Sequence, residues 1–250
     1  MAGHSKFKNI MYRKGAQDTK RAKLFSKMAR EITVAAKTGI PEAEKNPRLR
    51  NAIISARTEN MPKDRIERAI QKAIGGNDDA NYEEIRYEGY GPASVAIIID
   101  VLTDNRNRTA SEIRSTFSKN GGTLGETGSL SYIFSRKGVI KFNTDLCGEN
   151  KFFDIAADAG AEDINSDTNE HIAICQSEDF GTVRDQLTSN IGDPISSKLE
   201  WVPQSYQKIT EEYAEKIIKL IDLLEDNDDV QNVYTNCDIS DEIMENITDK

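Results

Sequence analysis

His4 and His171, with Cys147, Cys175 and Cys237, make up the chain's whole stock of the residue types that most often serve as bases, thiolate nucleophiles or soft metal ligands. They are scattered. No CxxC pair occurs and no histidine has a spaced partner, so neither a zinc cluster nor a Cys-His or Ser-His-Asp arrangement is expected, and no GxSxG precedes a helix. Carboxylates abound, but nothing singles out a pair for acid-base work. These observations point to no catalytic residue, no metal and no cofactor. Cysteines so few and so widely spaced fit a reducing compartment. His171 sits in a strand pattern and reads as a half-buried sheet residue, while His4 is either a nucleic-acid contact or a tail residue.

Three short segments invite a binding reading. Residues 121–128, GGTLGETG, resemble a phosphate loop, yet no GK[ST] follows and no helix opens after the glycines. A flexible inter-domain connection with positive-φ glycines is expected there, followed by a strand-like alternation over 130–134. Asp104-Asn105-Arg106-Asn107-Arg108-Thr109 places two arginines between a buried strand and a helix. Their guanidinium forks could grip a phosphate, or Asp104 and Asn105 could simply build a turn whose arginines are solvated or paired with local acids. Residues 226–229, DNDD, lack the ligand spacing, glycine and terminal glutamate of a calcium loop and read as a helix-to-strand turn.

Charge carries the strongest signal. The 250 residues hold 33 Lys+Arg against 42 Asp+Glu, a net of −9, which at face value argues against a polyanionic partner. The charge is segregated, however. Residues 1–75 carry 18 basic against 7 acidic residues, a net of +11, which leaves 15 against 35 in residues 76–250, a net of −20. A basic module joined to an acidic body gathers counterion-release energy on a phosphate backbone while the body stays off it. Lys6, Lys8, Arg13, Lys14, Lys20, Arg21 and Lys23 are the expected phosphate contacts, with Arg106 and Arg108 as a second site near a domain junction. Few aromatics lie in the basic region (Phe7, Tyr12 and Phe25), so base-specific reading is not implied.

The elements that would hold these residues follow from periodicity. Asp18 is placed to cap a helix running to Gly39, with Leu24, Phe25, Met28, Ile32 and Ala35 on one face. Asn46-Pro47 starts a second helix and Pro62 a third, in which Ile66, Ala69, Ile70 and Ala73 face inward. Residues 76–81 form a linker. Strands are expected over 84–90 and 94–103, then a helix opened by a capping box at Thr109-Ala110-Ser111-Glu112. Strand 139–142, helix 152–159, strands 163–166 and 171–175, helix 182–190 and strand 195–201 follow, which is the ferredoxin-like β-α-β-β-α-β order. A helix over 211–224 and a strand over 230–235 cannot bury their faces alone and complete the sheet begun at 84. The fold class is therefore α+β in three domains: a basic arm and three-helix bundle at 1–76, a discontinuous α/β domain at 82–130 plus 206–240, and a ferredoxin-like domain at 134–204 inserted in it. No apolar run is long enough to span a membrane, the longest, 95–99, ending at Asp100.

Several of these segments also resemble a known family. AGHSKF at 2–7, NPRLR at 46–50, NMPKD at 60–64, YEGYGP at 87–92, TDNRNRT at 103–109 and GGTLG at 121–125 are similar, in order and over nearly the whole chain, to the YebC family. Phe7 stands where the family usually has Trp, and the GIPE at 39–42 replaces its more common Gly-Gly or Gly-Asp form. The resemblance implies a helical N-terminal domain and two α/β domains around a cleft, in a non-enzymatic cytoplasmic protein. It implies one of two partners: DNA, for the bacterial members described as probable transcriptional regulators, or ribosomal RNA. The second follows from the mitochondrial translational activator of cytochrome c oxidase and from members linked to ribosomes stalled on proline-rich nascent chains. A start directly at the family motif leaves no room for a transit peptide, so a bacterial-type member is expected. Neither a membrane nor a small-molecule substrate is expected as partner.

Overall fold

The computed structural model describes residues 17–75 and 81–248, which divide into two compact units. Residues 28–75 join Arg136–Val202 in one unit, and residues 17–27, 81–135 and 203–248 form the other. Helix α1, Gln17–Thr38, contributes its beginning to the second unit and the rest to the first. No helix among the described residues is long and apolar enough to cross a membrane. The chain is a multi-domain α+β protein, a helical N-terminal region followed by α/β sheets.

In the first unit α2, Pro47–Thr58, starts where an asparagine-proline pair should start it. Asn46 is the N-cap, its Oδ1 accepting from Leu49 N–H at 3.1 Å, and proline's missing donor suits the position that follows. The same side chain has a tertiary role, because its Nδ2 donates to the carbonyls of Ala35 (2.8 Å) and Ile40 (2.9 Å), tying the end of α1 to the start of α2. Helix α3, Lys63–Ile74, buries Ile66 and Ala69, and the buried Thr33 hydroxyl of α1 donates to the Ala69 carbonyl at 3.0 Å.

The rest of this unit runs β4 (Phe134–Asn143), α5 (Glu149–Asp158), β5 (Asp163–Ser166), β6 (Glu170–Gln176), α6 (Phe180–Ile191) and β7 (Ser196–Pro203). The strands lie in the order β5-β6-β4-β7, which is the ferredoxin-like arrangement of a β-α-β-β-α-β chain. Alternate residues of β4 and β6, Ile140, Phe142, Ala173 and Cys175, face Phe152, Ala156, Val183 and Leu187 of the two helices. Only glycine fits at 138, since a Cβ there would lie 2.6 Å from the Phe180 ring and 2.7 Å from Cys175 Sγ.

The second unit is built on β1 (Glu83–Tyr90), β2 (Ala96–Thr103), β3 (Thr123–Leu124) and β9 (Val230–Thr235), in the order β3-β1-β2-β9. Between its two antiparallel neighbours β2 is buried on both faces, which explains why AIIIDVLT reads as an apolar run without alternation. Ile97, Ile99, Val101 and Val233 are covered by Ile113 and Phe117 of α4 (Arg106–Lys119) and by Ile217, Leu220 and Leu224 of α7 (Glu211–Glu225). Two short parallel strands, β8 (Gln207–Lys208) and β10 (Cys237–Asp238), and helix α8 (Asp241–Thr248) complete the unit.

The structure corrects several local expectations. Helix α4 opens at Arg106, not Thr109: Asn105 is the N-cap and accepts from Arg108 N–H at 3.1 Å, while Thr109, fully buried, spends its hydroxyl on Asp229. The glycine segment at 121–128 is not a free connection. Thr123-Leu124 pairs with Gly89-Tyr90 as an edge strand, and a Cβ on Gly122 would lie 2.7 Å from the Tyr90 carbonyl; the positive φ expected is found at Gly121 and Gly128. Residues 127–133 are turns, so 130–134 is not a strand before Phe134. Gln17, the first described residue, is already helical, so Asp18 stands inside helix α1 and not at its cap. His171 is buried at 2% exposure, not half-buried, with Ser166 Oγ 2.7 Å from Nδ1 and the Cys147 carbonyl 2.9 Å from Nε2. The arm at 1–16 and residues 76–80 of the linker lie outside the described residues.

Asn46→Ala removes the cap and both tertiary hydrogen bonds at once. Its unfolding free energy should fall by about 2 kcal/mol, and Asn46→Asp, which keeps the cap alone, should recover only part of that; urea denaturation of the two variants measures the difference.

Candidate nucleic-acid interface

The basic residues singled out in the sequence fare differently in the structure. Lys6, Lys8, Arg13 and Lys14 lie outside the described residues, and Lys20 stands in α1. Arg21 is exposed, its guanidinium 5.4 Å from the centroid of the Phe25 ring, so stacking steadies the side chain while leaving its donors to solvent. Lys23 has a partner inside the chain: Nζ lies 2.6 Å from Asp226 Oδ1 and 3.3 Å from the Asp226 carbonyl. Lys27 donates to the Glu225 carbonyl. Burial pulls the Lys27 pKa down, and Glu225, Asp228 and Asp226 pull against that. The cause is the end of α7. A helix C-terminus presents carbonyls without donors and attracts cations, and here acids stand on the same turn.

Cations on the other two bundle helices are also partly engaged. Arg48 of α2 holds Glu31 through two parallel hydrogen bonds, Nε to Oε1 at 2.7 Å and Nη2 to Oε2 at 3.0 Å. Arg68 of α3 pairs with Asp64 one turn back, and Lys63 lies 3.6 Å from Glu67. Such exposed i,i+4 pairs are weak and open readily to a stronger anion.

The 104–109 segment separates its two arginines. Arg108 is structural: Nη2 donates to Asp104 at 3.0 Å and to Asp229 at 2.7 Å. Asp229, only 4% exposed, also accepts from Thr109 Oγ1 at 2.6 Å and Thr103 Oγ1 at 3.0 Å. The Thr103 hydroxyl oxygen in turn accepts from Asn105 N–H at 2.9 Å. One carboxylate thus joins the end of β2, the start of α4 and the turn before β9. Burial alone would raise the Asp229 pKa, but the hydrogen bonds from Thr109, Arg108 and Thr103 outweigh it and hold the carboxyl below its ordinary value. Arg106, two residues earlier, is exposed and has no hydrogen-bond or ion-pair partner among the described residues. Of the pair proposed as a second contact, Arg106 is the one left available.

Two buried carboxylates escaped the sequence reading. Asp229 was legible only as part of an acidic turn, although its place at the end of the run, directly before an apolar strand, is the signal that it turns inward. Glu88, 2% exposed, accepts from Gly128 N–H and Leu130 N–H, each at 2.8 Å, and so pins the 127–133 turns to β1. An open polar cleft between α4 and α7 is lined by Ser111, Glu112, Ser115, Thr116, Asp226 and Asn227; its acids make it a poor phosphate site.

Comparison with known proteins agrees with this architecture. A family model described as the TACO1/YebC protein N-terminal domain matches residues 5–76, and one described as the TACO1/YebC second and third domain matches residues 82–237. Among solved structures, the crystal structure of a conserved hypothetical protein, Aq1575, from Aquifex aeolicus is similar with a TM-score of 0.82 at 44% identity, covering 90% of this chain and 93% of that one.

Asp229→Asn should lower stability by about 1–3 kcal/mol at neutral pH, because Arg108 and two buried hydroxyls lose an ionised acceptor. The sign of the pH dependence follows from the lowered pKa. The stabilisation is complete above the unfolded carboxyl value, about 3.9, and is lost as pH falls through the folded one. Denaturation of wild type and variant from pH 7 to pH 2 should show the gap closing below about pH 4.

Proposed function

The chain belongs to the TACO1/YebC family, and from that premise we propose that it is a non-enzymatic regulatory protein of the cytoplasm that binds nucleic acid by its phosphate backbone. The observation that carries this reading is the segregation of charge, +11 in residues 1–75 against −20 in the remainder. Each lysine or arginine that neutralises a phosphate releases condensed counterions, and concentrating such residues at one end lets the acidic body repel the polyanion without cancelling the attraction. Lys6, Lys8, Arg13, Lys14, Lys20 and Arg21 supply the contacts. Lys23 joins them once the partner displaces Asp226, and Arg106 adds a contact from the acidic stretch of the chain, residues 76–250. The domain boundaries at 1–76, 82–130 with 206–240, and 134–204 are part of the same proposal.

Transcriptional regulation through duplex DNA is the first form of the function, supported by the transcription-regulator name of the family model over residues 82–237. Binding to ribosomal RNA, in the service of ribosomes stalled on proline-rich nascent chains, is the second. What favours it is composition: the basic stretch over 1–23 holds seven lysines and arginines with only Phe7 and Tyr12 as aromatics, and contains nothing that reads as the recognition helix base readout demands. Shape-based contact with RNA backbone makes no such demand.

Sedimentation of lysate on sucrose gradients, with and without RNase, beside a DNA shift assay across salt, separates the two. RNase-sensitive co-sedimentation with ribosomes and only weak, nonspecific DNA binding would exclude transcription as the primary role. Tight, sequence-selective DNA binding at physiological salt without ribosome association would exclude translation. In either case K20E/R21E/K23E should weaken binding at least tenfold near 0.1 M salt, with K23E alone costing less than R21E because Lys23 begins in an ion pair.

A further inference from the structure

A second cationic face lies on α4, and it includes a hydroxyl that has no acceptor. Tyr87 stands on β1 opposite Ile99, on the sheet face covered by Ile113 and Phe117 of α4, and its ring packs on that core. Its hydroxyl oxygen is shut away from solvent with no hydrogen-bond partner among the described residues. Buried hydroxyls are ordinarily satisfied, and one that is not marks a place where an acceptor is missing. The charges that act on it are informative. The guanidinium groups of Arg106 and Arg114 both act on the phenol, with Glu83 as the one opposing charge. Burial raises the pKa of the phenol beyond the lowering by these arginines, so it is an O–H donor at neutral pH.

Helical geometry explains the grouping. Arg106, Ala110 and Arg114 are spaced four residues apart and fall on one face of α4, with the two arginines about 12 Å apart along the axis and only a methyl side chain between them. Both arginines are exposed, and neither has an ion-pair or hydrogen-bond partner among the described residues, in contrast to Arg108 on the same helix. The helix cannot slide or rotate away, because Arg108, Thr109 and Asn105 lock its first turn to Asp229 and Thr103.

We propose that Arg106, Arg114 and the Tyr87 hydroxyl form a binding site for the backbone of a single RNA strand, each arginine taking one phosphate and the phenol donating to an oxygen between them. The separation of the arginines suits a strand that carries successive phosphates and not an isolated phosphate ion. The phenol meets a phosphate oxygen only when the atoms that now cover its hydroxyl move, and that movement is part of the proposal. This site rests on the nucleic-acid reading above and locates a second contact within the acidic residues 76–250.

Fluorescence anisotropy with a labelled oligouridylate of about 12 nucleotides, a DNA duplex of similar length and inorganic phosphate as competitor tests it on the full chain. R106A/R114A should weaken oligouridylate binding about tenfold and lower the salt slope by about 1.4, two phosphates at about 0.7 each on a single strand. Arg114→Lys should restore most of the Arg114 contribution to the slope. Tyr87→Phe should weaken binding severalfold with the slope unchanged, since it removes a donor and no charge, and Glu83→Gln should strengthen it. Phosphate at millimolar concentration should not compete. If K20E/R21E/K23E weakens oligouridylate binding while R106A/R114A and Tyr87→Phe stay within twofold of wild type, the site is refuted and the nucleic-acid reading stands. Losses confined to the duplex refute the single-strand assignment. Wild-type protein that binds neither probe overturns both the site and that reading. Thermal melts matching wild type establish that each variant is folded.

Discussion

Asp229 lies immediately before β9, where the chain leaves an acidic turn for the sheet, and its buried carboxylate cannot remain there without donors. It draws them from one short segment more than 100 residues earlier in the chain: Thr103 at the end of β2, and Arg108 and Thr109 in the first turn of α4. The adjoining backbone is bound too, since Leu102 N–H donates to the Asp229 carbonyl at 2.8 Å and Asp229 N–H to Asn227 Oδ1 at 2.9 Å. Desolvating a charge is costly enough that these partners must all be in place together. The direction and rotation of α4 follow, and so does the separation of roles between Arg108, which is consumed, and Arg106 and Arg114, which remain available.

The same logic of satisfied groups explains why positive charge on α1 is not all usable. Asp226 and the final carbonyls of α7 hold Lys23 and Lys27, so the acidic turn does to the lysines what a phosphate would do. The pair between Lys23 and Asp226 is substantially exposed and screened, and it yields to a partner offering several phosphates. Arg21 is different. Stacking on Phe25 orders it without neutralising it, which lowers the entropy lost when it meets an anion.

Much of the architecture was legible because periodicity and punctuation act locally. Asn46-Pro47 announces a helix start on its own chemistry, the run over β2 can only be a strand buried on both faces, and the β-α-β-β-α-β order shows in the alternation of periods. Boundaries failed where a tertiary partner outbid a local one. Thr109 and Glu112 have the spacing of a capping box, but Thr109 is needed by a carboxylate 120 residues away, and Asn105 caps the helix instead. Residues 121–128 looked like a free glycine loop since nothing nearby in sequence reveals that Gly89 and Tyr90 require a pairing strand. The site was legible as a charge distribution and not as a set of partners. Spacing places Arg106 and Arg108 together in one loop, and only the fold shows that one of them faces a buried acid.

Net charge is therefore the wrong measure of what this chain can bind. A polyanion responds to cations that can leave their present partners, and the binding free energy depends on how many counterions those cations release. On that measure the acidic part of the chain is not uniformly repulsive. Some of its carboxylates are turned inward, Asp229 and Glu88 among them, and are occupied in holding backbone and side chains. An inward carboxylate bound to an arginine projects little field, whereas an exposed arginine with no acid beside it projects its full charge over about a Debye length, roughly 8 Å at physiological salt. Arg106 and Arg114, exposed and without an ion-pair partner among the described residues, come near that condition inside a segment whose sum is strongly negative, with Glu83 as the opposing charge at the site. The fold divides the roles: Asp229 is held by Arg108 and two threonine hydroxyls, and Arg106 and Arg114 share neither that acid nor any other ion pair among the described residues.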